Sequence, residues 1–340
     1  MRDQTASQSI IGESPAFLAM LEHVSRAAAI SKPMLVIGER GTGKELIAAR
    51  LHFLSDRWGQ PLVKMNCAAL TESLLESELF GHEAGAFTGA TRRHIGRFER
   101  AEGGTLVLDE LATVPLRMQE KILRVIEYGE YERVGGSETL RADVRIVGAT
   151  NEDLPGLADK GQFRHDLLDR LAFDVVTVPP LRARPEDVVL LADHFALNIT
   201  SELGRPYFPG FTSRASESLV RHGWPGNVRE LKNVVERSVY GSEPPDLAVD
   251  QIQFDPFDSP WRIGGETAAA APEAVDEQVD LREAVASLER RLVSAALAAE
   301  GYHQGRAATA LGLSYHQLRG YLRKHRIPGR PGGTTPEGVN

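Results

Sequence analysis

The sequence predicts an α/β fold with a parallel sheet wound by helices on both faces, followed by an all-helical C-terminal module. Five short runs rich in branched apolar residues alternate with segments of helical periodicity, an arrangement typical of parallel sheets. The C-terminal part has only helical patterns. The five predicted strands lie at residues 34–37, 62–65, 105–108, 144–147 and 174–178.

The composition is that of a globular protein. The chain has 340 residues, of which 42% are hydrophobic and 25% charged, and this length suits two or three domains. The single cysteine, Cys67, excludes an internal disulfide. No apolar run approaches the roughly 20 residues that a membrane helix needs, and the N-terminus lacks a signal-peptide pattern. We therefore expect a cytoplasmic protein.

The first predicted strand leads into a glycine-rich loop and then a helical pattern. The loop matches G-x-x-x-x-G-K, in which glycines let backbone N–H groups surround phosphates and the lysine reaches the outer phosphates. A chance glycine turn is the alternative. The predicted ATP-binding residues are Gly38, Glu39, Arg40, Gly41, Thr42, Gly43, Lys44 and Glu45. Glu45 stands where a serine or threonine usually contacts magnesium.

An acidic pair, Asp109 and Glu110, follows the third predicted strand. Strand ends in such sheets face the nucleotide crevice. Asp109 is suited to hold magnesium directly or through water, and Glu110 to polarise the attacking water. A solvated acidic loop is the alternative. The predicted nucleotide site also includes the preceding residues Ala101, Glu102, Gly103, Gly104, Thr105, Leu106, Val107 and Leu108.

A third motif places an aromatic ring and a hydroxyl between glycines. Its residues are Gly85, Ala86, Phe87, Thr88, Gly89 and Ala90. Small residues alone would not bury Phe87, so the segment reads as an exposed, mobile loop that contacts another molecule. An ordinary glycine-rich surface loop is the alternative.

Together these motifs resemble those of bacterial enhancer-binding proteins, the AAA+ activators of sigma-54 RNA polymerase. Residues 85–90 resemble their GAFTGA loop, and residues 38–45 resemble their phosphate loop, which typically reads GESGTGKE. The resemblance covers residues 10–240. It implies ATP hydrolysis with magnesium, a homo-oligomeric ring of six subunits, a sigma-54 contact through residues 85–90, and binding to enhancer DNA.

The resemblance also implies roles for single residues. Asn66 would be the switch that hydrogen-bonds Glu110, and Asn151 would be sensor I. Arg164 and Arg170 would be arginine fingers that reach the ATP of an adjacent subunit, and such a finger in trans makes hydrolysis depend on assembly. Arg229, within residues 223–231, would be sensor II. The alternatives are a turn residue for Asn66 and surface ion pairs for the two arginines.

The C-terminal segment predicts DNA binding. Residues 281–330 hold nine basic and three acidic side chains, a net +6, which leaves −14 on the rest of a chain of net charge −8. Residues 304–324 fit a helix-turn-helix, preceded by an amphipathic helix that is a candidate for dimerisation. A small dimerisation hairpin is the alternative, and the charge favours DNA. The predicted DNA-binding residues are Arg306, Ser314, Tyr315, His316, Gln317, Arg319, Arg323 and Lys324.

These assignments give a domain plan. In chain order it comprises an N-terminal tail (1–9), an AAA+ α/β subdomain (10–180), a helical lid (181–240), a linker (241–280), a helix-turn-helix domain (281–330) and a disordered tail (331–340). No receiver or ligand-sensing domain fits in residues 1–9, so control by a partner is expected. Arg40 and residues 111–113 resemble the phage-shock branch of the family, which implies control by phage shock protein A. Trp58 is its candidate contact or an ordinary packed tryptophan.

Two other function classes compete with this interpretation. One is an AAA+ replication initiator or helicase loader with a helix-turn-helix, for which a GAFTGA loop has no use. The other is a DNA-architectural protein with a vestigial ATPase, which the intact Lys44, Asp109, Glu110 and Arg170 disfavour.

Overall fold

The computed structural model describes residues 10–258, residues 281–325 and residue 327. The chain divides into two compact units, and the boundary along the sequence lies between Asp258 and Ser259. The predicted tails 1–9 and 331–340 lie outside the described residues, as does the stretch 259–280 of the predicted linker. Among the helices described, none is long and apolar enough to cross a membrane.

The first unit is built on a five-stranded parallel sheet with the spatial order β2-β3-β6-β1-β7. The strands are β1 (Met34–Ile37), β2 (Leu62–Asn66), β3 (Thr105–Asp109), β4 (Glu130–Glu132), β5 (Thr139–Arg141), β6 (Arg145–Thr150) and β7 (Val175–Thr177). The five predicted strands are confirmed. Strands β4 and β5 form a separate antiparallel hairpin that the sequence analysis missed, because three residues are too few to show a strand's alternation.

Helices cover both faces of the sheet. Those of the first unit are α1 (Pro15–Ala28), α2 (Lys44–Phe53), α3 (Glu72–Phe80), α4 (Arg97–Arg100), α5 (Leu116–Tyr128), α6 (Leu154–Asp159), α7 (His165–Leu171), α8 (Glu186–Glu202), α9 (Ser213–Arg221) and α10 (Asn227–Tyr240). Alternate residues of β3 show the two layers: Leu106 and Leu108 pack in one hydrophobic cluster with α5, and Val107 packs in another with α1 and α2. Burial on both faces explains why the strands are uniformly apolar.

The carboxyl ends of the parallel strands meet at one edge of the sheet. Asn66 at the end of β2 lies opposite Asp109 at the end of β3, and Ile37 at the end of β1 lies opposite Thr150 at the end of β6. The phosphate loop leaves the sheet at Ile37, where the strand order reverses. This reversal is the usual place for a ligand in an open α/β sheet.

Helices α8, α9 and α10 pack around the fully buried Trp224, whose indole N–H donates to the Leu219 carbonyl at 2.8 Å. This lid core continues beyond residue 240, where the sequence analysis placed the start of a linker. Val249 pairs with Phe211, and Ile252 and Phe254 pack on the same cluster. Sequence periodicity gives no sign of this extension, because the segment is neither helix nor regular strand.

The second unit contains α11 (Leu281–Ala299), α12 (Gln304–Ala310) and α13 (Tyr315–Lys324). Ala308 is buried between α12 and α13, as predicted, and Leu318 is buried in the core. Gly312 adopts a φ of 67° in the turn, a conformation that favours glycine. Ser314 caps α13 through a reciprocal bond with Gln317.

Candidate nucleotide site and partner surfaces

The phosphate loop forms an open cradle above the start of α2. Gly41 and Gly43 have φ values of 81° and 95°, which side chains rarely adopt. A Cβ placed on Gly43 would meet no atom within 4 Å, so the space above the helix N-terminus is free for an anion. Lys44 is only 8% exposed, and its ammonium donates to the carbonyls of Gly38 (2.9 Å) and Glu39 (3.1 Å).

Four predicted site residues share one electrostatic environment. Burial lowers the pKa of Lys44, the charges of Glu110 and Asp109 act in the opposite direction, and Arg229 lowers it further. These interactions require all four charges to lie close together. The structure therefore brings together the predicted phosphate lysine, the acidic pair and the sensor II arginine.

The backbone changes direction sharply at the acidic pair. Glu110 adopts left-handed backbone angles (φ 54°, ψ 42°), which are uncommon outside glycine and cluster at functional sites. Its N–H is satisfied by the Asp109 carboxylate at 3.0 Å. This turn lies at the carboxyl end of β3, and the charges of both carboxylates act on Lys44.

Asn66 lies beside this pair but has a different partner. Its Oδ1 accepts from the N–H of Ala68 at 2.9 Å and caps the short turn Cys67–Ala69. No hydrogen bond joins Asn66 to Glu110 within residues 10–258, so the switch bond remains a prediction. Directly after Asn66, burial and then the charges of Asp109 and Glu110 raise the pKa of the Cys67 thiol to about 12.

Asn151 follows β6 and is exposed, with its amide donating to the Glu152 carboxylate at 3.4 Å. Its neighbour Thr150 is buried and connects this strand end to the phosphate loop. The Thr150 carbonyl accepts from the Gly38 N–H at 3.3 Å, and its hydroxyl accepts from the Glu152 N–H at 3.0 Å. The sequence analysis missed Thr150 because a threonine at a strand end is common.

The remaining residues predicted to bind ATP are dispersed. Residues 101–104 precede β3, at the end of the sheet opposite Asp109, and Leu106, Val107 and Leu108 are buried in the core. Along β3, Asp109 alone reaches the carboxyl edge, and Glu110 follows it. In the phosphate loop, the Glu39 carboxylate turns toward the lid, and Glu45 pairs with Lys64 at 3.1 Å.

A cavity of about 670 Å³ lies beside the phosphate loop. Apolar walls with a few polar groups are typical of sites for nucleotide bases. Its lining includes Ile10, Ile11, Thr42, Leu46, His194 and Asn198. Sequence patterns give no sign of this cavity, because the start of the domain, α2, α8 and α10 form it jointly. The apolar pair Ile10 and Ile11, just before the cap of α1, was the available signal.

The two predicted arginine fingers pair with carboxylates of their own chain. Arg164 forms a bidentate pair with Asp166 (3.0 and 2.7 Å), and Arg170 donates to Glu127 at 2.9 Å. Arg170 is 61% exposed and lines a second cavity of about 660 Å³, whose lining shares no residue with the first. Within one chain, both arginines form surface ion pairs.

The loop at residues 85–90 is closed and exposed at its tip. The Gly85 N–H donates to the Ala90 carbonyl at 2.7 Å, which closes the loop. Phe87 is 46% exposed with its ring 4.9 Å from that of His82, and Thr88 is exposed. The buried Arg133 secures the base of the loop by pairing with Glu83 (3.0 Å), and it also pairs with Glu99 (2.7 Å).

Only part of the predicted DNA-binding set is available on the described surface of α12 and α13. Ser314 and Gln317 bond each other, Lys324 donates to Glu289 at 2.6 Å, and Arg306 pairs with Glu300 at 3.3 Å. The exposed side chains without such bonds are Tyr315, His316, Arg319 and Arg323. The Arg319 guanidinium lies 5.9 Å from the Tyr315 ring.

Comparison with known proteins accounts for this combination of parts. Residues 10–177 match the sigma-54 interaction domain family, residues 182–259 the AAA+ ATPase lid domain, and residues 284–325 the Fis family of bacterial regulatory proteins. The Psp operon transcriptional activator of Escherichia coli K12 is 58% identical over 322 residues, which cover 94% of this chain and 98% of that protein. The chain belongs to the sigma-54-dependent AAA+ transcriptional activators.

Further relatives of this activator confirm the fold and the resemblance predicted from the motifs. The Nif-specific regulatory protein of Azotobacter vinelandii is 44% identical over 311 residues, covering 91% of this chain and 57% of that protein. The crystal structure of NtrX from Brucella abortus in complex with ATP aligns with a TM-score of 0.69 at 33% identity, covering 95% of this chain and 71% of that one.

Proposed function

We propose that this activator binds enhancer DNA and hydrolyses ATP to convert closed complexes of sigma-54 RNA polymerase into open ones. The observation that carries the proposal is the convergence of Lys44, Asp109 and Glu110 at one sheet edge, in the same domain as an exposed Phe87–Thr88 tip. The first set is suited to nucleotide chemistry and the second to contact with a protein.

The residues present fit magnesium bound together with nucleotide. The described residues contain no group of three His, Cys, Asp or Glu side chains that could hold a metal ion by themselves. Magnesium at nucleotide sites needs no such group, because one or two carboxylates and phosphate oxygens suffice. Asp109 would supply the carboxylate. When bound, the ion would neutralise charge that develops on the phosphates.

The roles of the other residues follow from their chemistry. Lys44 would move its ammonium from the loop carbonyls to the outer phosphates. Glu110 would take a proton from the attacking water, and Asn66 would hold Glu110 in position between turnovers. Asn151 would contact the terminal phosphate or the attacking water from the end of β6. The cavity beside the loop would take the adenine base.

Arg164 and Arg170 would act on the ATP of an adjacent subunit in a homo-oligomeric ring, which we propose is a hexamer. Their exposure, and the separation of the Arg170 cavity from the phosphate loop, support action in trans. Each finger would exchange its carboxylate partner for a phosphate, and an arginine finger can contribute about 10³- to 10⁵-fold to turnover.

Mixing two inactive variants tests this arrangement. Arg170→Ala subunits keep an intact phosphate site, and Lys44→Ala subunits keep an intact finger, so a mixed ring contains interfaces that pair both intact groups. We expect ATPase activity to return on mixing. Absence of recovery, in rings shown by mass spectrometry to be mixed, would exclude a finger in trans.

The identity to the Psp operon activator supports a phage-shock operon as the target and control by phage shock protein A. Trp58 is 69% exposed in a turn, so it is available as a contact rather than packed in the core. We expect Trp58→Ala to keep its ATPase activity while losing inhibition by phage shock protein A. Equal inhibition of variant and wild type would remove Trp58 from this interface.

DNA recognition would use the exposed side chains of α13 that form no hydrogen bond or ion pair with another described residue, namely Tyr315, His316, Arg319 and Arg323. Arg319→Ala and Arg323→Ala should each weaken binding, with a smaller salt slope where the arginine contacts phosphate. Lys324→Ala is the matched control, because Lys324 pairs with Glu289 and we expect it to contribute less.

The decisive experiment adds the protein and ATP to closed complexes of sigma-54 RNA polymerase and scores opened promoter DNA by permanganate reactivity. Opening is expected with ATP and not with a non-hydrolysable analogue. If ATP is hydrolysed without opening, and a replicative helicase is instead loaded onto DNA, the protein is an initiator or loader. If ATP is not hydrolysed at all, the DNA-architectural alternative gains support.

A further inference from the structure

We propose that Asn227 is a positioning residue that joins the phosphate loop to the lid and thereby sets the place of Arg229. This inference rests on the proposed ATPase function. It concerns a buried, uncharged residue that is not part of the lining of the cavity beside the phosphate loop.

The side chain of Asn227 joins three segments that are far apart in the sequence. It is completely buried. Its Oδ1 accepts from the Leu181 N–H at 2.8 Å, at the turn that leads into the lid. Its Nδ2 donates to the Arg40 carbonyl and to the Glu39 carboxylate, both at 3.1 Å. One amide therefore connects the phosphate loop, the start of the lid and helix α10.

The backbone around Asn227 makes a close contact with the same loop. The Arg229 N–H donates to the Gly41 carbonyl at 3.3 Å. A Cβ on Gly41 would lie 2.3 Å from the Gly226 carbonyl oxygen, so only glycine permits this approach. Asn227 itself has a φ of 53°, which asparagine tolerates better than most residues. The sequence thus supplies both residue types that the contact requires.

A second connection between the same segments is more exposed. Arg182, from the turn Leu181–Ala183, forms a bidentate pair with Glu39 at 2.5 and 2.7 Å. Hydrogen bonds from Arg182 and then Asn227 lower the pKa of Glu39 to about 2, so the carboxylate is charged at neutral pH. Exposed ion pairs contribute little, whereas a buried amide that loses its partners is costly. Asn227 is therefore the stronger of the two connections.

The consequence for the site concerns Arg229. It lies two residues after Asn227, in the first turn of α10, and its charge already acts on Lys44. Because the start of α10 is held to the loop by Asn227, the position of the Arg229 guanidinium depends on that amide. A movement of the phosphate loop on binding or hydrolysis would be passed to the lid by the same route.

Two substitutions test the side-chain hydrogen bonds of Asn227 separately from its backbone conformation. Asn227→Gly keeps the left-handed backbone and removes the side-chain hydrogen bonds to Leu181, Arg40 and Glu39. Asn227→Asp keeps the shape and the acceptor for Leu181 but places a carboxylate against Glu39 and the Arg40 carbonyl. We expect each to lower kcat/KM for ATP by about 10- to 100-fold, the range for losing a buried hydrogen bond to a charged group.

A double-mutant cycle with Arg229→Ala tests whether Asn227 acts through the arginine. If it does, Asn227→Gly should change kcat/KM by less than about 2-fold when Arg229 is already absent. Losses that multiply would overturn the proposal, because the two residues would then act independently. The melting temperature of each variant, measured alongside, separates a loss of position from a loss of fold.

A reciprocal exchange covers the case in which Asn227→Gly does not fold. In Glu39→Gln combined with Asn227→Asp, the new amide donates to the new carboxylate, so the contact with residue 39 is rebuilt with donor and acceptor reversed, while the Arg40 carbonyl still faces a carboxylate. Partial recovery relative to Asn227→Asp alone supports the proposal, and no recovery counts against it. Wild-type ATP turnover is measured first, and its absence would refute the proposed function. In that case the double-mutant cycle of Asn227→Gly with Arg229→Ala is measured as ATP affinity instead of kcat/KM, so that it still tests Asn227.

Discussion

The two glycine-rich loops of this activator differ in what their glycines do. In the phosphate loop, Gly41 lies against the lid, so that a Cβ would meet the Gly226 carbonyl oxygen at 2.3 Å. In the loop at residues 85–90, Gly85 and Gly89 also have positive φ, at 84° and 100°, yet a Cβ on either would meet nothing within 4 Å. Gly41 is needed for close approach to the lid, whereas Gly85 and Gly89 are needed for the turn alone.

The difference also concerns the side chains that the loops carry. Lys44 is buried and hydrogen-bonded, and the lid contacts its loop through Asn227. Phe87 and Thr88 are exposed. Under the proposed function, the loop that binds phosphates is held in place from several sides, whereas the loop that would contact sigma-54 keeps its tip free. Substitutions in the two loops should therefore differ in their effect on ATP turnover.

The largest effect is expected at the phosphate site itself. Glu110→Gln should bind ATP normally but lose about 10²- to 10⁴-fold in turnover, the contribution of a general base. Lys44→Ala should weaken ATP affinity by about 10- to 100-fold, because a hydrogen bond to a charged group is lost. Fluorescent ATP binding and single-turnover hydrolysis separate the two. Equal loss of affinity in both variants would contradict the division of roles.

A smaller effect is expected from glycine substitutions, which compare the loops directly. Gly41→Ala introduces both the positive-φ cost of about 1–2 kcal/mol and a backbone clash, so it should displace the lid and reduce ATP turnover. Gly89→Ala carries the φ cost without a clash and should leave turnover close to wild type. Turnover that falls equally in both variants would show that the second loop also supports the ATP site.

No loss of turnover is expected from Phe87→Ala or Thr88→Ala. Both side chains lie outside the groups that act on Lys44, so basal ATPase activity should survive while promoter opening fails. The measurement pairs phosphate release with permanganate footprinting of the promoter. If hydrolysis and opening fell in parallel, the loop would have to be a structural part of the ATP site.

The prediction that perturbs the protein least concerns the reactivity of two thiols. Cys67 is buried and its thiol pKa is raised to about 12, so at pH 8 it should resist iodoacetamide in the folded protein and react on unfolding. Thr88→Cys places a matched thiol in the exposed loop and should react rapidly. Labelling followed by peptide mass spectrometry reports both sites in one sample. Rapid labelling of Cys67 would show that the nucleotide edge opens more readily than its packing indicates.

The sequence alone determined the features that depend on neighbours along the chain. The five sheet strands, the phosphate loop and Asp109 with Glu110 at a strand end all appear in short runs, because local periodicity and turn chemistry specify them. The same holds for Gly312 and Ser314 in the helix-turn-helix, where each residue type suits its backbone position.

Tertiary structure decided where distant segments meet. Ile10 and His194 line one cavity, Asn227 bonds Arg40, and Phe254 packs in the lid, although sequence periodicity indicates none of these contacts. Residues 101–104 were predicted to belong to the site, yet a strand of five residues spans about 16 Å and separates them from Asp109 at the other end of the sheet. Nearness along an extended chain is not nearness in space, and only the packing of the sheet and lid decides which side chains surround the nucleotide site.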